Sequence, residues 1–252
     1  MTGTEPRVSV VIPAYAEGAT IRPVLDRLRA SMPLPSEVLV VVDFAEDSTL
    51  LELEDCAGPE PPVRGLVNDY GPGPACAIRY GIDHAAAPVV VVAMADGCDD
   101  PGQIETLSRM VEQGVVVAAA SRYMPGGRQV GGPLLKRLLS GTAGRTLFWF
   151  ARVGVHDATN SFKAYDRDFV ARVGIDSRAG FAIGLELTAK ARRLRLPVAE
   201  IPTTWLDRQA GTSNFKVVRW LPAYLRWYFY AFGPRIATTA PDRPADAWAA
   251  RS

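Results

Sequence analysis

Short, unbroken apolar runs recur through the first half of the chain: VSVVI at 8–12, EVLVVVD at 37–43, VRGLV at 63–67, PVVVVAM at 88–94 and VVVAAAS at 115–121. They are rich in β-branched residues and short, as in strands covered on both faces. Between them, apolar positions fall at helical spacing over 21–30, 75–86 and 103–112, with Val24, Leu25 and Leu28 marking the inner stripe of the first. This alternation predicts an α/β fold with a mostly parallel central sheet and flanking helices. Polar or turn-forming residues follow four of the runs: Pro13 to Glu17, Asp43, Asp96 to Asp100, and Ser121 to Tyr123. Open α/β sheets bind ligands at the carboxyl ends of their strands, so chemistry is expected there.

Beyond residue 125 the regularity weakens. A glycine-rich loop (PGGRQVGGP, 125–133) precedes a helical stretch to about Val153, the segment HDATNSFKAYDRD, a helix around 182–195 and a strand from Pro197 to Pro202. No internal repeat or low-complexity linker divides the chain. The expected organisation is one α/β domain over 1–213, an amphipathic aromatic helix over 214–236, and a disordered tail over 237–252.

Composition narrows the function. Lys+Arg 28 against Asp+Glu 27 gives a net charge of +1, which supplies no field for nucleic acid. Cys56, Cys76 and Cys98 are odd in number and lack CxxC spacing, arguing against a disulfide framework or a zinc knuckle, and two histidines cannot build a histidine-rich metal site. Any metal must sit on carboxylates. The amino-terminal residues lack the apolar stretch of a signal peptide, and no run reaches the ~20 apolar residues of a spanning helix. The expectation is a cytoplasmic protein with reduced thiols.

Asp96 stands just past a buried run in MADGCDDP, with Asp99 and Asp100 behind it. Mg²⁺ takes one or two carboxylates plus substrate phosphates and water, so this cluster suits a metal-diphosphate site. Asp-Gly and Asp-Pro also shape turns and cap helices, and the motif alone does not choose between these readings.

The order of VSVVIPAYAE, Asp43, GPGPACAIRYGI, MADGCDDP and SRYMPGG resembles the family 2 glycosyltransferases with the GT-A nucleotide-diphospho-sugar transferase fold, in particular their polyprenol-phosphate (dolichol-phosphate) mannosyltransferase branch. The likeness runs from about Val8 to Lys216 and takes in HDATNSFKAY, GLELTAKARRLRLPVAEIP and DRQAGTSNFK. It implies a nucleotide-sugar donor held by Pro13, Tyr15, Glu17, Asp43, Gly73, Ala75 and Asp96, with Gly71 and Gly73 letting backbone approach the nucleotide. It implies a divalent cation, Mg²⁺ or Mn²⁺, on Asp96 with help from Asp99. The family's Asp-x-Asp metal motif reads here Met94-Ala95-Asp96, so only its second carboxylate is matched. Where the family has two adjacent aspartates, this chain has VDFAEDST.

Asp96, Arg122 and Arg208 are the expected catalytic residues, and Arg122, Asp157, Lys163, Glu186, Ser213 and Lys216 the acceptor-binding set. A hydroxyl acceptor must lose a proton and calls for a general base, whereas a phosphate monoester with a second pKa of about 6 is already a nucleophile at neutral pH. The cations Arg122, Lys163, Arg208 and Lys216 favour a lipid-linked phosphate; Asp157 and Glu186 keep open a hydroxyl of a glycan, glycolipid or secondary metabolite. Loss of the first aspartate leaves a third reading, a catalytically impaired nucleotide-sugar-binding subunit. Lys136, Arg137 and Arg145 read as a solvated helix face. Seven aromatic residues between Trp220 and Phe232, with Arg219 and Arg226 on one strip, suit a helix lying at the inner face of a membrane through Trp227 and Phe229, or one packed on its own domain. Pro222 is expected in its first turn. Anchoring would fall to a separate membrane protein.

Overall fold

The computed structural model describes residues 5–32, 36–55, 61–207 and 217–236. The chain runs β1 (Val8–Pro13), α1 (Ile21–Ser31), β2 (Ser36–Val42), α2 (Ser48–Asp55), β3 (Val63–Val67), α3 (Pro74–Asp83), β4 (Val89–Val92), α4 (Ile104–Glu112) and β5 (Val117–Ser121). It continues with β6 (Arg128–Val130), α5 (Leu134–Thr146), a π-helical turn (Leu147–Ala151), β7 (Lys163–Asp166), α6 (Arg167–Val173), α7 (Ile183–Arg193), β8 (Val198–Pro202), β9 (Thr204–Leu206) and α8 (Val217–Ala231).

Seven strands form one sheet in the order β3-β2-β1-β4-β7-β5-β8, parallel except for β7, which runs antiparallel between β4 and β5. Strand alternation sorts the core. Val8, Val10 and Ile12 meet Leu25, Leu28, Ile104 and Leu107 of α1 and α4 on one face. Val11, Leu39 and Val41 meet Ile78, Ile82, Phe169 and Leu187 of α3, α6 and α7 on the other. Helix α3 lies so close to β1 that a Cβ on Gly81 would sit 2.4 Å from a Val11 methyl, which accounts for a glycine inside a helix.

Several expectations are corrected. VRGLV forms an edge strand with Arg64 exposed rather than a strand covered on both faces. The loop at 125–133 contains β6, which pairs in parallel with β9 as a separate two-stranded sheet. HDATNSFKAYDRD contains the antiparallel β7, and the stretch towards Val153 ends in the π turn, closed by Arg152 in the left-handed region. Pro222 is the sixth residue of α8, inside the helix.

Helix α8 packs on its own domain. Trp227 and Ala231 are buried with Leu185, Ala189, Leu147 and Ala151, and the Lys190 ammonium lies 5.2 Å from the Trp227 ring centre. Trp227 is therefore core, and only Phe229 of the expected apolar pair is exposed. Among the described residues no helix is long and apolar enough to cross a membrane.

Candidate active site

Strands β1, β2, β4 and β5 are mutually parallel, so their carboxyl ends share one edge of the sheet. Strand order reverses at β1, flanked by β2 and β4, and such a switch point opens a crevice between adjacent strand ends.

The turn after β1 carries Tyr15 and Glu17. Ala16 has φ 53°, and its N–H donates to Asp47 Oδ2 at 2.9 Å, while the Glu17 N–H donates to Thr49 Oγ1 at 3.1 Å. Asp47 is buried and its other oxygen accepts from the Thr49 N–H at the start of α2. Asp47 and Thr49 thus fix the turn; their capping spacing was the available signal for both. Tyr15 is 56% exposed and meets Phe44 edge-to-face at 5.8 Å, an aromatic pair beside the crevice.

Asp43, after β2, holds the glycine turn ahead of α3. Its Oδ2 accepts from the Gly73 N–H at 2.8 Å and its Oδ1 from Asn68 Nδ2 at 2.8 Å, and Asn68 also donates to Gly71 O at 3.0 Å. Gly71 and Gly73 have φ of 105° and 109°, which L side chains rarely adopt. Asp43 therefore shapes the loop with both oxygens, and any ligand hydrogen bond uses their remaining lone pairs. Ala75 is buried in the first turn of α3 and Pro13 at the end of β1.

After β4, Asp96 is partly exposed and its Oδ1 accepts from the Cys98 N–H at 3.1 Å. Asp99 is buried, accepts from the Met94 N–H at 3.0 Å, and has its carboxyl pushed up to about 7 by burial and then by the Asp96 charge. Arg27 of α1, which the sequence reading missed, donates to Gly97 O at 2.8 Å and Asp99 O at 3.1 Å and pins this loop. Asp100 is a cap: its side chain accepts from the Gly102 N–H. Among the described residues no group of three or more His, Cys, Asp or Glu is placed to hold a metal ion.

Arg122 follows β5 and is bound in bidentate fashion by Asp157, Nε to Oδ2 at 2.6 Å and Nη2 to Oδ1 at 3.0 Å. Burial opposes both charges, but the mutual attraction and hydrogen bonds outweigh it, raising Arg122 and lowering Asp157. The Arg122 charge is near enough to Asp99 to offset part of the upward push of burial and Asp96 on that carboxyl, which places the guanidinium on the carboxylate side of the cleft.

Three of the expected acceptor residues lie inside the protein instead. Asp157 is fully buried and taken up by Arg122, Thr159 and Asn160. Lys163 is fully buried at the start of β7, donating to the Asp157, Ala158 and Asn160 carbonyls, and burial pulls its ammonium down to about 8. Glu186 is fully buried, accepting from the Asp176 and Ser177 N–H groups and from Lys190. Their contacts hold loops. Arg208, Ser213 and Lys216 lie outside the described residues.

Residues 9–174 match the family described as "Glycosyl transferase family 2". The polyprenol monophosphomannose synthase of Mycolicibacterium smegmatis is 29% identical over 231 residues, spanning 85% of this chain and 86% of that protein. The undecaprenyl-phosphate mannosyltransferase of Micrococcus luteus is 28% identical over 214 residues, 82% and 87% of the two chains. A solved structure of glucosyl-3-phosphoglycerate synthase from Mycobacterium tuberculosis, in complex with Mn²⁺, UDP and glucosyl-3-phosphoglycerate, superposes with a TM-score of 0.68 at 16% identity, covering 92% of this chain and 82% of that one. That likeness establishes the fold, the GT-A arrangement anticipated from the motifs. With the family match running from β1 through α6 and the strand-end residues in their expected order, this chain is a glycosyltransferase of family 2.

Proposed function

We propose that the protein is an inverting glycosyltransferase that moves a sugar from a nucleotide-diphosphate donor to a polyprenyl-phosphate-type lipid, working peripherally at the inner face of a membrane. The names of the two bacterial relatives support a lipid-phosphate acceptor and mannose as the first sugar to try. The observation that carries the reading is the state of the two candidate bases: Asp157 and Glu186 are both fully buried and hydrogen-bonded within the protein. An acceptor that brings its own charge needs neither.

The Asp43-bound glycine turn and the Tyr15–Phe44 pair would receive the nucleotide. Burial, and then the neighbouring Asp96 charge, push the Asp99 carboxyl up to about 7, and a bound cation would relieve both. Asp96, with Asp99 behind it, would hold Mg²⁺ or Mn²⁺, which when bound offsets charge on the donor diphosphate. Asp157 takes two N–H groups of Arg122, which has others to offer an acceptor phosphate. The phosphate oxygen attacks the anomeric carbon from the face opposite the leaving group. A new carbon–oxygen bond forms as the bond to the diphosphate breaks, and the nucleoside diphosphate departs with the electron pair.

The test is incubation with GDP-mannose, and separately UDP-glucose, with Mn²⁺ or Mg²⁺ and either undecaprenyl phosphate or undecaprenol. Sugar on the phosphate alone is expected. Transfer to the free alcohol or to a glycoside, with the phosphate inert, would replace this reading with the hydroxyl acceptor. A donor-induced thermal shift without turnover on any acceptor would favour the binding subunit.

A further inference from the structure

Helix α5 wears its apolar side outward. Leu134, Leu135, Leu138 and Leu139 are 72%, 62%, 67% and 44% exposed, and Trp149 and Phe150 of the π turn are 69% and 74% exposed. The inward side is made of small residues: a Cβ on Gly144 would sit 2.2 Å from the His156 carbonyl oxygen, and Gly141 faces the Tyr123 ring. A helix of a soluble domain normally turns its leucine stripe to the core; here glycine permits close packing and the leucines are left facing outward.

Helix α8 extends this surface. Tyr228 donates to Thr146 Oγ1 at 2.9 Å, joining α8 to the end of α5, and Leu225, Phe229 and Phe232 are exposed at 42%, 66% and 42%. No Asp or Glu occurs between Leu134 and His156 or between Val217 and Ile236, whereas Arg137, Arg145, Arg152, Arg219, Arg226 and Arg235 are exposed there. The surface borders the cleft: the Arg122 guanidinium lies 5.1 Å from the Tyr123 ring centre, and the Tyr123 hydroxyl hydrogen-bonds Ser140 of α5 at 2.5 Å.

We infer that the outward faces of α5, the π turn and α8 form one docking surface for the interfacial layer of an anionic lipid bilayer, beside Arg122. Wide apolar area with a purely cationic complement matches acyl chains below and anionic headgroups around. The principal contact is α5, with Trp227 in the core and only the outer residues of α8 contributing. The link from bilayer to cleft rests on the lipid-phosphate reading above; binding of the surface to a bilayer does not.

The experiment is co-sedimentation of the full chain with phosphatidylcholine vesicles, with and without phosphatidylglycerol, for the wild type and for Leu135→Asp/Leu138→Asp. The wild type is expected to partition onto the phosphatidylglycerol vesicles, less at high salt. The double variant should bind at least ~10-fold more weakly with an unchanged melting temperature and unchanged transfer to a short-chain, water-soluble isoprenyl phosphate. Absence of wild-type binding, equal binding to both vesicle types, or unaltered binding by the variant overturns the inference. So does a concentration-dependent dimer that the two substitutions dissolve while vesicles remain unbound, because the surface would then belong to a second copy. Vesicle binding lost in the variant upholds the surface even if no polyprenyl phosphate accepts sugar, a result that would sink only the acceptor reading.

Discussion

Replacing Asp157 by Asn removes one charge from a fully buried site while nearly keeping its shape. The carboxylate accepts from Arg122 Nε and Nη2 at 2.6 and 3.0 Å, from the backbone N–H groups of Arg122 and Asn160 at 3.2 and 3.1 Å, and from the Thr159 hydroxyl at 3.1 Å. An amide keeps one accepting oxygen and turns an NH₂ towards groups that are themselves donors. Arg122, 12% exposed at its side chain, and Lys163, fully buried, both lose the carboxylate that most favours their charge. Breaking a buried pair from one side costs about 3–5 kcal/mol, a large part of a typical stability of about 5–15 kcal/mol. At roughly 2–4 °C per kcal/mol for a chain of this size, the melting temperature should fall by about 6–20 °C. Thermal unfolding followed by circular dichroism reads this directly. The variant Arg122→Met/Asp157→Leu, which removes both charges, should lose less than Asp157→Asn, because no unpaired guanidinium remains. A fall of less than about 2 °C for Asp157→Asn, or a double variant less stable than the single, would refute the reasoning.

Asp96→Ala should remove transfer and the Mn²⁺-dependent part of nucleotide binding while leaving the melting temperature within about 2 °C, since its side chain is partly exposed and caps a local turn; full turnover in EDTA would contradict it. Lys163 titrates near 8 in the fold against 10.5 unfolded, so between these values the unfolded chain binds the extra proton and stability rises with pH. Its contribution is at most about 1.4 kcal/mol per pH unit, and urea midpoints across that window should rise more steeply in the wild type than in Lys163→Met. Gly73→Ala forces a side chain onto φ 109° in otherwise open space, so backbone strain of about 1–3 kcal/mol is expected. Calorimetric titration should show weakened nucleoside diphosphate binding, and unchanged affinity would detach the Asp43–Gly73 turn from the donor.

The sequence by itself determined the strand-helix alternation and the family. The β-branched runs at 8–12, 37–43 and 88–94 became strands because continuous apolar character has few other outcomes between turn signals. Asp96 was placed for the same reason: four residues past a buried strand, it stays near that strand's end in a local turn closed by the Cys98 N–H. Strand β7 was not legible, because its fitness for the sheet comes from partners more than 40 residues away, Val89 to Val92 and Val117 to Ala119, and its lysine is tolerated only where three carbonyls converge.

The tertiary structure alone decided which charges are buried and which apolar residues face inward. Arg122, Asp157, Lys163 and Glu186 carry the same chemistry in sequence whether exposed or buried, and only packing turned the last three into internal braces. Likewise Trp227 and Phe229 are two residues apart on one aromatic helix, yet one is core and the other outside, because α7 and the π turn cover only one side of α8. Periodicity reports that a helix has an apolar face. Which face the rest of the molecule covers is a property of long-range contacts, and no local pattern encodes it.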